Sequence, residues 1–402
     1  MSDVVLPRAQ TDPVILPSQS LPSESALAGA VAIPWTIWMV FGGICTALVG
    51  GSWDFAWHMS IGRDTFWTPA HILVQLGGLL VGFSSGYTVF SATRASASPA
   101  REYSVRMLGL YGPSGAFLAL WGFGAMIFSA PFDNWWHNAY GLDVKLLTPP
   151  HNLLSLGWFA TQIGVMAWIA ATINRSTGAL RARLTRLLLS VGSICTCLFA
   201  VLALERIQTS LMHSAFCYLT AALCFPAVLV AVGRGSRRRW GCTIVAAGYT
   251  AIGVAAEWIL PLFPAQPKLG PVYQKVTHLI PLQFPLLLIV PAFVADLLLQ
   301  RLEQRSAWTK AAIVGPAFVL SFLAVQWPFA NFLMTPASRN WIFGRAYFPY
   351  FDPAFSLYDP YKFRAAEKPA VFVLTMIAAL VVGILMTRLG VAWGNWLRRV
   401  QR

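Results

Sequence analysis

Apolar runs of about 20 residues recur between residues 29 and 393, and they limit what this chain can fold into. A helix of about 20 apolar residues is long enough to cross the hydrocarbon core of a bilayer. The sequence therefore predicts an all-α integral membrane protein with about ten transmembrane helices, built from tandem helical hairpins. We place the spans near residues 29–50, 70–92, 107–130, 151–173, 187–204, 212–233, 240–262, 278–299, 310–333 and 370–393.

Composition supports the same class of protein. Only 11% of the 402 residues are charged, whereas soluble proteins average about 25%. So few charges cannot cover the surface of a water-soluble globule. The lipid bilayer is therefore the first partner that we expect.

The net charge of +14 is mainly a topology signal. With ten spans, most lysines and arginines fall in alternate loops on one side, and the positive-inside rule places that side in the cytoplasm. We therefore expect a multi-pass protein of a bacterial-type plasma membrane with both termini in the cytoplasm and no nucleic-acid partner. All six histidines then lie on the non-cytoplasmic side.

Two polar turns between spans repeat one another. The stretch WDFAWHMSIGRDTFWTPAH, residues 53–71, aligns with FDNWWHNAYGLDVKLLTPPH, residues 132–151, with one inserted residue. Four pairs of ionisable residues correspond: Asp54 with Asp133, His58 with His137, Asp64 with Asp143, and His71 with His151. The repeat predicts a duplicated metal-hairpin unit over residues 29–173, with copies at about 29–92 and 107–173.

The rest of the chain divides less clearly. Residues 1–28 are polar and rich in Ser and Pro, and we interpret them as a disordered cytoplasmic tail. Residues 174–299 are predicted to form two further hairpins. Of the repeated motif they retain only an acidic residue followed by a histidine, so whether they are degenerate copies stays open. Residues 300–402 form a C-terminal hairpin with a long aromatic external loop at 334–369.

The spacing within each copy suits a metal ion. Asp54 and His58 are four residues apart and share one face of a helix. His71 opens the next span just after Pro69, and a tight hairpin brings it back against the preceding helix. Two imidazoles and one carboxylate are a donor set for copper, zinc or non-haem iron. The second copy predicts the same set: Asp133, His137 and His151.

Three further residues are candidates for supporting roles. We expect Asp64 and Asp143 to orient a ligand imidazole through its other ring nitrogen. Arg63 is placed to neutralise Asp64, whereas position 142 is Leu. The two copies are therefore chemically unequal, and the first is favoured if only one binds a functional ion.

Plainer interpretations compete with these. The tryptophans of the two turns are typical of an interfacial aromatic belt. A single Asp and His four residues apart can be a hydrogen bond at a helix end. His213 and His278, which lack the full pattern, are more often structural.

The motif Asp-x3-His-x12-His, with Arg63-Asp64-Thr65 and Thr68-Pro69 inside it, resembles the metal motif of the C subunit of copper-containing membrane monooxygenases. These are the particulate methane, ammonia and hydrocarbon monooxygenases. The resemblance implies copper as the cofactor, Asp54, His58 and His71 as its ligands, and a site at the outer side of the membrane. It also implies other membrane or periplasmic subunits as partners.

Three functions follow from these observations. The leading hypothesis is a copper-dependent membrane oxidoreductase, similar to a monooxygenase, that uses dioxygen on a small apolar or lipid-soluble substrate. The second is a protein that binds, transports or delivers a transition metal. The third is a b-type haem protein, although haem-binding histidine pairs usually lie deeper within helices and lack an adjacent carboxylate.

Overall fold

The computed structural model describes residues 32–62, 65–95, 99–141, 147–268, 276–343, 363–364 and 367–402. Within these ranges, nine helices are long and apolar enough to cross a membrane. The prediction of an all-α, multi-pass membrane protein is thereby confirmed. The predicted tail at 1–28 lies outside the described residues, as does most of the aromatic loop at 334–369.

The elements follow in chain order, beginning with the two hairpins. The first part contains α1 (Trp35–Ser60), α2 (Pro69–Arg94), α3 (Pro99–Glu102), β1 (Val105–Met107), β2 (Leu110–Gly112), α4 (Ser114–Tyr140) and α5 (Pro149–Asn174). The second part contains α6 (Gly178–Leu202), α7 (Leu204–Ile207), α8 (Ala215–Ser236), α9 (Gly241–Ile259), α10 (Ile289–Arg301), α11 (Ala307–Leu333) and α12 (Pro369–Leu397). Short 3₁₀ turns lie at Thr209–Leu211, Leu260–Leu262, Pro336–Ser338 and Trp341–Phe343.

The two repeated hairpins close through glycines at equivalent positions. A Cβ on Gly43 of α1 would lie 2.7 Å from the carbonyl oxygen of Gly77 on α2. A Cβ on Gly122 of α4 would lie 2.5 Å from the carbonyl oxygen of Gly157 on α5. The backbones of both hairpins therefore touch where only glycine fits, as small residues allow in membrane helix pairs. The repeat thus extends from the polar turns into the spans.

Two helices extend further than their apolar runs predict. The first span was expected to end near residue 50, but α1 continues to Ser60 and carries Asp54 and His58 on its last turns. In the same way α4 continues to Tyr140. The third span also begins later than predicted, at Ser114, because β1 and β2 form a small antiparallel hairpin just before it.

The prediction that residues 278–299 form one continuous helix is wrong. Only Ile289–Arg301 is helical, and the residues before it, which include Pro281 and Pro285, run without helix. Proline lacks the backbone N–H that a helix interior needs, so a helix cannot continue through both positions. The segment still crosses the bundle. The N–H of Ile280 donates to Ser60 at the end of α1, while Gln300 bonds Arg239 at the opposite end.

Side chains of neighbouring helices accept hydrogen bonds from two N–H groups of this non-helical crossing. The N–H of Leu286 donates to the hydroxyl oxygen of Tyr249 at 3.0 Å. The N–H of Leu287 donates to Oε1 of Gln326 at 2.9 Å. Non-helical backbone at membrane depth is tolerated when it is buried in protein in this way.

All six histidines lie at one end of the bundle, called here the histidine end. It holds the C-terminal ends of α1, α4 and α6, and the N-terminal ends of α2, α5 and α8. His278 joins it through a β-bridge to Pro264, two residues before the bond from Ile280 to α1. The structure thus brings together the histidines that were predicted to share one side of the membrane.

Residues 363–364 and 367–368, called here the strap, lie against the histidine end. The N–H of Arg364 donates to the carbonyl of Ser210 at 3.0 Å. Phe363 stacks on the His213 ring at 3.6 Å, and Trp327 stacks on the other face at 4.0 Å. The Glu367 carboxylate accepts a hydrogen bond from the hydroxyl of Ser214, which caps the start of α8. The strap therefore fixes the start of α12 to the start of α8.

The opposite end ties the first part of the chain to the last helix. Nδ2 of Asn174, at the end of α5, donates to the carbonyl oxygens of Leu397 and Val400 at 2.9 and 2.8 Å. Arg175 donates to the carbonyl of Gln401 at 2.7 Å. Because α12 packs along α8, these bonds join the duplicated unit to the second part.

Candidate metal centre

The first motif forms a compact triad of donor atoms at the histidine end. Nε2 of His71 lies 3.0 Å from Oδ1 of Asp54, and Nε2 of His58 lies 3.8 Å from Oδ2 of the same carboxylate. The three ligand atoms all lie within 4.8 Å of one another. In the described part of the chain, no other group of His, Cys, Asp or Glu side chains meets that spacing.

Local structure explains how His71 reaches this position. Thr68 precedes α2, Pro69 occupies its first turn, and the Thr65 N–H donates to Oγ1 of Thr68 at 2.9 Å. This turn places the Thr65 carbonyl oxygen 3.1 Å from Nδ1 of His71. Because a carbonyl oxygen only accepts, Nδ1 carries the hydrogen, and a neutral His71 directs the lone pair of Nε2 at Asp54.

The spacing of the donor atoms fits one transition-metal ion. Nitrogen and oxygen ligands held at about 2.0–2.2 Å from a common ion lie about 3–3.5 Å apart. The distances of 3.0 and 3.8 Å around Asp54 lie close to this range. A carboxylate oxygen and an imidazole lone pair repel at such separations unless a cation or a proton holds both. The donor set of Asp54, His58 and His71 therefore fits the predicted ion.

The second motif repeats the arrangement with looser spacing. His137 and His151 each place Nε2 at 3.5 Å from an oxygen of Asp133. Nδ1 of His137 lies 3.1 Å from the carbonyl oxygen of Gly141, so this imidazole is also oriented by a backbone acceptor. Gly141 has a positive φ of 86°, which lets the chain turn back at the end of α4.

Both triads line a single cavity of about 540 Å³. This volume falls within the range of small-molecule sites. The motif spacing predicted two hairpins with a donor set each, and the structure brings the two sets to one chamber. The six donor residues on its wall are Asp54, His58, His71, Asp133, His137 and His151.

The remainder of the cavity wall is largely apolar. Its apolar residues include Leu48, Phe55, Val74, Leu154, Trp158, Leu198, Val201 and Leu202. The last three come from α6, which lies outside the duplicated unit, and no motif in the sequence marks them. The two halves of the wall also differ: Gln75 lies one turn after His71, whereas the equivalent position after His151 is Ser155.

The other predicted residues divide into two groups. Arg63, Asp64 and Asp143 lie outside the described residues. His213 and His278 are not part of the cavity wall. His213 is stacked between two aromatic rings, and Nδ1 of His278 lies 2.9 Å from the hydroxyl of Thr277.

The tryptophans of the polar turns do not all behave alike. Trp67 and Trp135 are exposed, at 74% and 52%, as an interfacial belt requires. Trp53 instead packs against a small apolar cluster around Ala56. The belt interpretation therefore suits the outermost rings, while the ionisable residues between them turn toward the cavity.

Comparison with family models, with curated proteins and with solved structures finds no match for this chain. The resemblance to the monooxygenase C subunit thus depends on the residues of the motif. The residues that carry it, Asp54, His58 and His71, are the ones whose donor atoms converge in the structure.

Proposed function

We propose that this protein is a copper-dependent integral membrane oxidoreductase that acts with dioxygen on a small apolar or lipid-soluble substrate. One observation carries the proposal: two Asp-His-His triads lie on the wall of one cavity whose remaining surface is largely apolar. Metal donors supply the reactive centre, and the apolar wall suits a substrate that enters from lipid.

Each part of the site has a role in this proposal. Asp54, His58 and His71 would hold the ion, and the Thr65 carbonyl keeps the His71 imidazole in the orientation that presents Nε2. Copper, when bound, would supply the redox chemistry that activates dioxygen. The leucines and Phe55 of the wall would exclude water and bind apolar groups. Asp133, His137 and His151 would offer a second donor set in the same chamber.

One observation favours a second candidate, the capture and delivery of a transition metal. The His58 side chain is 46% exposed. An ion held by an accessible ligand exchanges more readily than one in a closed site. The apolar wall has no role in delivery, so the oxidoreductase remains the function that the cavity supports better.

Metal content is the first test. Protein purified in detergent, without affinity tags that bind metals, should contain close to one or two equivalents of copper per chain. The electron paramagnetic resonance spectrum of the bound copper should show nitrogen hyperfine structure that weakens in His58→Ala and in His71→Ala. The matched control is His278→Ala, a histidine at the same end that does not line the cavity. Less than about a tenth of an equivalent of any transition metal would refute both candidate functions.

A second experiment separates the two candidates. Oxygen consumption with short hydrocarbons and an added two-electron donor such as a quinol, lost in His71→Ala and kept in His278→Ala, would support the oxidoreductase. Metal flux into sealed vesicles with the same dependence would support transport instead. An absorption spectrum with a Soret band would replace both with the haem hypothesis.

A further inference from the structure

Four basic residues converge at the end of the bundle opposite to the histidine end. Arg234 lies in the last turn of α8, Arg237 caps that helix, Lys310 lies in the first turn of α11, and Arg398 follows α12. We call these residues the cationic cluster. None belongs to the cavity or to the repeat, and the metal-binding motifs do not explain them.

One carboxylate, that of Glu303, pairs with this cluster. Its Oε2 lies 3.3 Å from Nη1 of Arg234, and its Oε1 lies 3.7 Å from Nη1 of Arg398. Nζ of Lys310 donates to the backbone carbonyl of Glu303 at 2.7 Å. Within the described residues, the two contacts of the Glu303 carboxylate are the ion pairs that the cluster makes, so the four cations outnumber the one carboxylate.

The remaining bonds of the cluster use neutral acceptors. Nη2 of Arg234 donates to Oδ1 of Asn395 at 3.1 Å. Nε of Arg398 donates to the carbonyl of Arg234 at 2.7 Å, and Nη2 of Arg237 donates to the carbonyl of Arg398 at 2.9 Å. Carbonyl and amide oxygens fix the geometry of the guanidinium groups but do not cancel their charge.

Burial makes this excess of charge costly. Arg234 and Lys310 are only 7% and 6% exposed, and buried charges are unfavourable unless they are paired. Burial, followed by repulsion from Arg234, lowers the pKa of Arg398, although Glu303 opposes the change. The surroundings therefore favour an additional anion.

An external anion can reach the cluster. Glu303 is 50% exposed, Arg398 is 30% exposed, and Arg237 is exposed. Guanidinium groups bind phosphate through paired hydrogen bonds, and basic pockets between membrane helices bind anionic lipid headgroups. We infer that the cationic cluster is a binding site for a phosphate group, carried by an anionic phospholipid or by a soluble phosphate compound.

Native mass spectrometry of the full chain in neutral detergent tests this inference. The probes are phosphatidylglycerol, phosphatidylcholine and inorganic phosphate. Phosphatidylglycerol should bind, and its affinity should fall about fivefold in Arg398→Gln and in Arg237→Gln. Arg399→Gln is the matched control, because it removes the same charge at the next, exposed residue and should leave binding unchanged.

The variant Glu303→Gln tests the cluster by removing a negative charge instead of a positive one. It removes the one carboxylate that competes with the ligand, so phosphatidylglycerol should bind it more tightly and raise its melting temperature more than that of the unmodified protein. This variant keeps the test informative if Arg398→Gln does not fold. Displacement of the lipid by millimolar inorganic phosphate would support the site and assign it to a soluble phosphate.

Two results would overturn the inference. Equal loss of binding in Arg398→Gln and Arg399→Gln would mean that the basic surface attracts anions without a specific site. Equal binding of phosphatidylglycerol and phosphatidylcholine, unaffected by Glu303→Gln, would mean that the cationic cluster does not recognise an anionic headgroup. Neither result depends on copper, so the inference can fail while the proposed function stands.

Discussion

Replacing Glu367 with alanine should lower the free energy of unfolding by about 2 kcal/mol. The Glu367 carboxylate accepts a hydrogen bond from the hydroxyl of Ser214, the N-cap residue of α8. It therefore holds the cap residue of α8 from a distant segment of the chain. A helix cap contributes about 0.5–2 kcal/mol, and a hydrogen bond to a charged group about 1.5–3 kcal/mol.

The contributions of the cap and of the charged hydrogen bond do not add in full. Oγ of Ser214 also accepts from the N–H of Phe216 at 3.2 Å, so that donor keeps a partner when the carboxylate is lost. Glu367 is only partly buried, and water can replace part of the remaining bonds. The expected loss of about 2 kcal/mol therefore lies at the lower end of the combined range of these two contributions.

Unfolding in mixed detergent and denaturant, followed by tryptophan fluorescence, measures this effect. Trp327 is a suitable reporter because its ring stacks on His213 beneath the strap. Lys368→Ala is the matched control, since Lys368 is the next residue and its side chain makes no cap bond. If the two variants lose equal stability, the carboxylate is not a cap and the reasoning is wrong.

The effect of Glu367 should also depend on pH with a defined sign. Burial opposes ionisation, but the Ser214 hydroxyl and the nearby backbone N–H groups of Glu367, Ala215 and Phe216 lower the pKa of Glu367 below its ordinary value of 4.5. The unfolded chain then binds a proton more readily than the folded one, so stability rises with pH in this range. The contribution of the ionised Glu367 carboxylate to the free energy of unfolding is complete above pH 4.5. It is lost as the pH falls through the lower pKa of the folded state. Glu367→Ala should remove this acid-dependent loss.

Three further predictions concern other parts of the molecule. His71→Ala should weaken copper binding at least about 100-fold in a chelator competition assay, since one of three ligands is lost, whereas His278→Ala should bind as before. Gly77→Ala should lower the free energy of unfolding by about 1–3 kcal/mol, because its Cβ would lie 2.6 Å from the backbone of α1. The control is Gly42→Ala, which has open space around it and should be neutral or slightly stabilising. Thermal unfolding of both variants measures the difference. Burial lowers the pKa of His213 below 6.5, so stability should fall as the pH drops below about 7. The stacked replacement His213→Phe should flatten that slope, and an unchanged slope would assign it to other groups.

The sequence predicted the membrane class and both donor sets because each depends on local patterns. Apolar run length reports a spanning helix directly. The i, i+4 spacing of Asp54 and His58 fixes their common face once α1 continues through them. The pairing of His71 with Asp54 required only a tight turn after that helix.

Features that depend on tertiary packing could not be predicted in this way. No local pattern shows that two hairpins enclose one chamber, or that Leu198 and Val201 of α6 complete its wall. The helical prediction for 278–299 failed because hydropathy does not distinguish a helix from an extended apolar crossing. Pro281 and Pro285 were the available signal.

The bonds from Asn174 to Leu397 and Val400 have a consequence for biogenesis. They join residues more than 220 positions apart in the chain, so the duplicated hairpins leave the ribosome long before α12 exists. At a synthesis rate of about 5–20 residues per second, the delay is of the order of ten seconds or more. During that interval the end of α5 and the flank of α8 lack their final partner. We expect assembly of this protein to be limited by the arrival of its last helix, and newly inserted chains to be most open to proteolysis until then.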